Sequence, residues 1–114
     1  MKGLKLFLLA IIPLLFACAS SDEALVAKGD WKGVGYSDAI KGKTQRSYAA
    51  LNKLGAANVN DYEEGYTLGL KEYCNPNFAY QIGLSGQYYQ GICAGTPQAQ
   101  KFRMEWQRGW NDQD

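Results

Sequence analysis

Histidine is absent from the 114-residue chain. That removes the commonest general base and metal ligand, and with them the Ser-His and Cys-His nucleophile arrangements. An excess of either charge is also lacking. Twelve Lys+Arg against 11 Asp+Glu leave a net charge of +1, too small for the basic field that nucleic acid or anionic lipid requires. There are three cysteines, and two thiols beyond the N-terminal region cannot complete a zinc tetrad without histidine. No apolar run is long enough to cross a bilayer. The longest, Leu6 to Phe16, falls short of the roughly 18 to 20 residues needed and contains Pro13. These absences leave one small domain with no catalytic, cofactor or metal residues to assign and no nucleic-acid partner.

The N-terminus carries a positional signal. Lys2 and Lys5 precede the apolar run, and Ala17 sits before Cys18, which is the form of a cleaved export signal over residues 1–17. The segment Leu15-Phe16-Ala17-Cys18 resembles the bacterial lipobox, with Phe16 bulkier than the residue usual there. The resemblance implies that Cys18 is diacylated on sulfur and acylated on its new amino group with chains such as palmitate. Several buried acyl chains, at about 0.8 kcal/mol per methylene, anchor a protein where one does not. By likeness to sorted lipoproteins, Ala19 in place of aspartate points to the outer membrane, with the protein facing the periplasm. Residues 18–29 are small, polar and weakly patterned, and are expected to be a lipidated tether. Residues 30–114 are expected to form the single folded domain. Without the signal, ten basic residues face eleven acidic ones. In an oxidising compartment Cys74 and Cys93 most simply form one disulfide, and closing a loop of about 20 residues contributes on the order of 3 kcal/mol.

Helical spacing dominates the domain. Trp31 to Tyr36 is glycine-rich and reads as extended or turning. Ile40, Thr44, Tyr48, Leu51 and Leu54 share a face, predicting a helix from Ser37 to Gly55. Tyr62, Tyr66, Leu70 and Tyr73 predict a second helix from Asn60 to Cys74. In the third segment Phe78, Ile82, Tyr89 and Cys93 fit a helix, whereas Phe78, Tyr80, Ile82 and Leu84 alternate like a strand; helix is the favoured reading. Thr96 and Pro97 open a last helix with Phe102, Trp106 and Trp110 on one face. The fold class is therefore all-α, a small bundle of three to four short glycine- and aromatic-rich helices stapled by one disulfide.

A local pattern recurs: an aromatic residue followed three positions later by a small one, at Tyr36/Ala39, Tyr62/Gly65, Tyr80/Gly83 and Trp106/Gly109. An interior glycine costs a helix about 1 kcal/mol relative to alanine, so the set implies close approach of helices. After the signal the chain has 12 branched aliphatics against eight Tyr and three Trp, so rings must supply much of the core.

Four stretches together resemble the family of short bacterial lipoproteins known as domain of unknown function 2799. They are Trp31-x-x-x-Gly35-Tyr36-x-Asp38; Tyr62-x-x-Gly65-x-x-x-Gly69-Leu70-x-x-Tyr73-Cys74; Ala79-Tyr80-x-x-Gly83-x-x-Gly86-x-x-Tyr89-x-Gly91-x-Cys93; and Phe102 with Trp106-x-x-Gly109. Two departures stand out: Ala39 replaces the family's usual glycine after the aspartate, and Ser47-Tyr48-Ala49-Ala50 lacks a cysteine that many members carry. The resemblance implies location and fold, and no activity.

Two classes of function follow. One is a non-catalytic binding or structural module, attached to the membrane through its lipid and meeting another envelope protein or a cell-wall polymer. Trp31, Tyr36, Asp38 and Arg46, where a loop meets a helix, are its candidate contacts; the competing reading is that Trp31 and Tyr36 close the core. The alternative is a peptidoglycan- or glycan-acting hydrolase using two of Asp38, Asp61, Glu63, Glu64, Glu72 and Glu105 as paired carboxylates.

Overall fold

The computed structural model describes residues 21–113, so Cys18 and the export signal lie outside the described residues. Six helices follow in order: α1 Ser21–Ala27, α2 Trp31–Ile40, α3 Tyr48–Leu54, α4 Val59–Tyr73, α5 Pro76–Leu84 and α6 Ala99–Asn111. The fold is all-helical among these residues. It is built as two helix pairs, α2 with α4 and α5 with α6, each running in the same sense: Lys32 meets Gly65 and Tyr36 meets Gly69, while Tyr80 meets Gly109 and Gly86 meets Gln113.

Local chemistry sets the helix starts. Asp30 accepts from the Gly33 N–H at 2.9 Å, Ser47 from Ala50 at 3.1 Å and Asn58 from Asp61 at 3.1 Å; Asn75 accepts from Asn77 with Pro76 in the first turn. Such caps satisfy N–H groups that have no partner within the helix.

The cap at Asp30 corrects the extended reading of Trp31 to Tyr36, because it starts α2 at Trp31 despite two glycines. Gly35 is there for contact: a Cβ on it would overlap the Tyr62 carbonyl of α4. The single helix expected over Ser37–Gly55 is two helices. Gly42, at φ 75°, takes the left-handed conformation that ends α2, and Ser47 then restarts the chain as α3. The shared face of Ile40, Thr44 and Tyr48 was accidental. Residues 21–27, expected within a tether, form α1, whose Leu25 and Val26 pack against the first core; apolar burial gives this short helix the stability its length cannot.

The two helix pairs follow one plan. After α2, Gly42 N–H donates to the Ala39 carbonyl and Lys43 N–H to Asp38; after α5, Gly86 donates to Gly83 and Gln87 to Ile82. Tyr66 of α4 then reaches back to the Lys43 carbonyl at 2.7 Å, and Trp106 of α6 to the Gln87 carbonyl at 2.9 Å. Cβ atoms on Gly69 and Gly109 would crowd the carbonyls of Tyr36 and Tyr80. The hydroxyls of those two tyrosines donate to Glu72 and Asp112, near the C-terminal ends of the partner helices. The recurring aromatic-and-small pattern is the imprint of this repetition.

Each pair has its own core. Trp31, Val34, Ala39, Leu51, Tyr62 and Tyr66 form the first; Tyr73, Cys74, Ala79, Tyr89, Cys93, Phe102 and Trp106 form the second; Leu70 packs against both. Rings dominate the second, with Tyr89 5.1 Å from Phe102 and 5.9 Å from Trp106 between centroids, and such pairs contribute about 0.5–1.5 kcal/mol each beyond area burial. The Cys74–Cys93 disulfide ties the end of α4 to the loop between α5 and α6. That loop is irregular, so the helix expected through Tyr89 and Cys93 ends at Leu84. There the Cys93 N–H donates to the Tyr89 hydroxyl at 3.0 Å.

Candidate functional site

The loop between α2 and α3 brings together two of the four candidate contact residues. Asp38, on the inner face of α2, is only 1 % exposed. Its Oδ2 accepts from Arg46 Nε at 2.8 Å and from the Tyr62 hydroxyl at 2.8 Å, and its Oδ1 accepts from Arg46 Nη2 at 3.1 Å. The planar guanidinium thus grips both oxygens, a geometry lysine cannot supply. The Arg46 N–H donates to the Tyr62 hydroxyl at 2.9 Å, so that hydroxyl both donates and accepts. Arg46 Nη2 also reaches Asp22 of α1 at 3.0 Å. One cation therefore fastens three segments: α1, the C-terminal half of α2 and the loop that follows it.

Electrostatics match this clamp. The hydrogen bond from Arg46 to Asp38 raises the guanidinium above its usual range, so it stays charged. Burial, reinforced by the carboxylate of Asp38, raises the Tyr62 hydroxyl well above its ordinary value. Burial also raises Tyr66 and Tyr73. These tyrosines resist ionisation only in the folded state. Their contribution is full below the ordinary value of 10.0 and is lost as pH rises beyond it toward the folded-state values. The urea midpoint is expected to be flat from pH 8 to 9.5 and to fall steeply above pH 10, measured by circular dichroism alongside tyrosinate absorbance. A flat midpoint through pH 11 would contradict it.

The other two candidates lie elsewhere. Trp31 is 5 % exposed and belongs to the first core. Tyr36 is half-buried and donates to Glu72, which raises its hydroxyl. Asp38 and Trp31 thus face inward, Arg46 is partly covered, and Tyr36 is the candidate with an open edge. Sequence reasoning missed Asp22, whose only signal was a carboxylate in a stretch that looked unstructured.

The carboxylates offered for hydrolysis are dispersed in role. Both Asp38 oxygens are occupied. Glu64 pairs with Lys32 at 3.1 Å and Glu105 with Arg108 at 2.9 Å, while Glu72 accepts from Tyr36. Asp61 and Glu63 are exposed near the start of α4, where negative charge favours the helix dipole.

The sequence profile of the family described as Protein of unknown function (DUF2799) matches residues 30–111. The chain belongs to this family. An Escherichia coli (strain K12) relative, the uncharacterized protein YfiL, is 29% identical over 110 residues, spanning 93% of this chain and 90% of the relative. No solved structure matches. The matched region of this DUF2799 member begins at Asp30, the cap of α2, and so contains both helix pairs and both clamping elements, Asp38–Arg46 and Cys74–Cys93. It stops short of α1.

Proposed function

We propose that the protein is a lipid-anchored, non-catalytic binding or structural module of the bacterial outer membrane, attached through Cys18 and facing the periplasm, where it meets another envelope protein or a cell-wall polymer. The observation that carries this reading is the docking of α1. Helix α1 begins at Ser21, three residues beyond Cys18, and is fixed to the body by Asp22–Arg46 and by Leu25 and Val26. Three extended residues span at most about 11 Å. A docked α1 therefore keeps the body against the anchoring surface, where a free tether would let it swing away. Further support comes from the chemistry-bearing side chains: the strongest polar cluster, Asp38–Arg46–Tyr62, is consumed within the fold.

The test is mass spectrometry of the protein isolated from envelopes, paired with fractionation of Cys18→Ser. The expected result is a diacylglyceryl thioether and an amide-linked acyl chain on Cys18, with membrane retention lost in the variant. An unmodified Cys18 would overturn the proposal.

A further inference from the structure

A groove of about 370 Å³ lies where the end of α4 meets the segment entering α6. Leu70, Cys74 and Pro97 give it a mostly apolar lining, with Thr67, Thr96 and Gln98 around them and Lys71 on the wall. Leu70 is the residue shared by both cores, and Cys74 carries the disulfide, so this wall is fixed at the junction of the two helix pairs.

The charge at the groove has one sign. Lys71 is exposed and, among the described residues, forms no salt bridge. The segment Thr96-Pro97-Gln98 leads into the N-terminus of α6, which has neither a side-chain cap from Gln98 nor an acidic residue in its first turn. A 13-residue helix presents partial positive charge there; the Ala99 N–H is taken by the Thr96 carbonyl, but no side chain of opposite charge stands at this end. Apolar walls beside an ammonium without a salt bridge, next to a helix start without a side-chain cap, complement a ligand with an apolar body and a negative head.

We propose that this groove binds an apolar carboxylate of the fatty-acid class, its chain against Leu70, Cys74 and Pro97 and its carboxylate between Lys71 and the start of α6. The assignment is independent of Cys18 modification. The carboxylate accepts from the Lys71 ammonium, while the chain displaces water from the groove.

The experiment uses the full chain as purified from envelopes, with methyl-labelled leucine, and follows Leu70 by NMR during titration with octanoate. Octylamine supplies the same chain with opposite charge; acetate supplies the charge without the chain. A saturable Leu70 shift with octanoate is expected, about tenfold weaker binding with octylamine, and none with acetate. Lys71→Gln, at an exposed position that leaves the fold intact, is expected to weaken octanoate about fivefold. Equal binding of octanoate and octylamine, or no change in Lys71→Gln, would overturn the proposal. So would a Leu70 shift produced by acetyl-Gly-Leu with a free carboxylate but not by octanoate, since a protein C-terminus would then be the occupant.

Discussion

Replacing Gly65 by alanine is expected to destabilise the protein by about 2 kcal/mol or more, although alanine is the better helix former. A Cβ there would overlap the Lys32 carbonyl of α2, a backbone atom that cannot rotate away. Overpacking of this kind costs up to about 3 kcal/mol, while the gain in helix propensity is about 1 kcal/mol, so the clash wins. Gly109→Ala is expected to behave alike, because its Cβ would overlap the Tyr80 carbonyl of α5. Gly91→Ala separates this effect from glycine substitution in general: it has a positive φ of 77° but nothing within 4 Å of a Cβ, so only backbone strain, about 1 kcal/mol, opposes it. Urea denaturation of the three variants checks the order. Stabilisation by Gly65→Ala would mean that α2 and α4 do not meet at this point.

The second large effect is expected at Arg46. Arg46→Met retains much of the side chain's apolar bulk but leaves the Asp38 carboxylate, 1 % exposed, with the Tyr62 hydroxyl as its remaining protein donor. Removing one partner of a buried ion pair costs about 3–5 kcal/mol. Arg46 is itself partly exposed, with 24 % of its side chain open, so solvent reaches one side of the site and the lower end, about 3 kcal/mol, is expected. The same change releases α1, whose Asp22 loses its cation, and should raise proteolytic cleavage within residues 21–30 ahead of global unfolding. Unchanged stability and unchanged cleavage would remove Arg46 from the clamp.

Much of the fold was legible because aromatic rings and glycines mark helix faces at characteristic spacings. Tyr62, Tyr66 and Tyr73 placed α4 almost to the residue, and Trp106 with Gly109 marked the buried face of α6. Cys74 and Cys93 form the disulfide expected of the two cysteines in the folded part. The first pair was less legible, for two physical reasons. Gly33 and Gly35 argue against a helix on propensity alone; Gly33 makes room for the Asp30 side chain that caps α2, and Gly35 for the backbone of α4, some thirty residues distant. Gly42 looks like one more glycine in a periodic run until its positive φ shows that the chain turns there. Asp38 and Arg46 stand out as candidate contacts because they lie where a loop meets a helix, but position cannot tell a residue presented to a partner from one gripped by its neighbour. That distinction rests on Tyr62, whose hydroxyl closes the site from another helix. The groove at Leu70 and Lys71 had no signature because its walls are far apart in the chain.

The most direct measurement is a double-mutant cycle of Asp38→Leu and Arg46→Met, read as unfolding free energy in urea. If the pair is an internal clamp, each single change is costly, and the double variant recovers much of the loss because neither charge is left unmatched. A coupling of about 2 kcal/mol or more is the predicted result. Additive and small effects, with stability near that of the unaltered protein, would contradict it and return both residues to the surface as partner contacts.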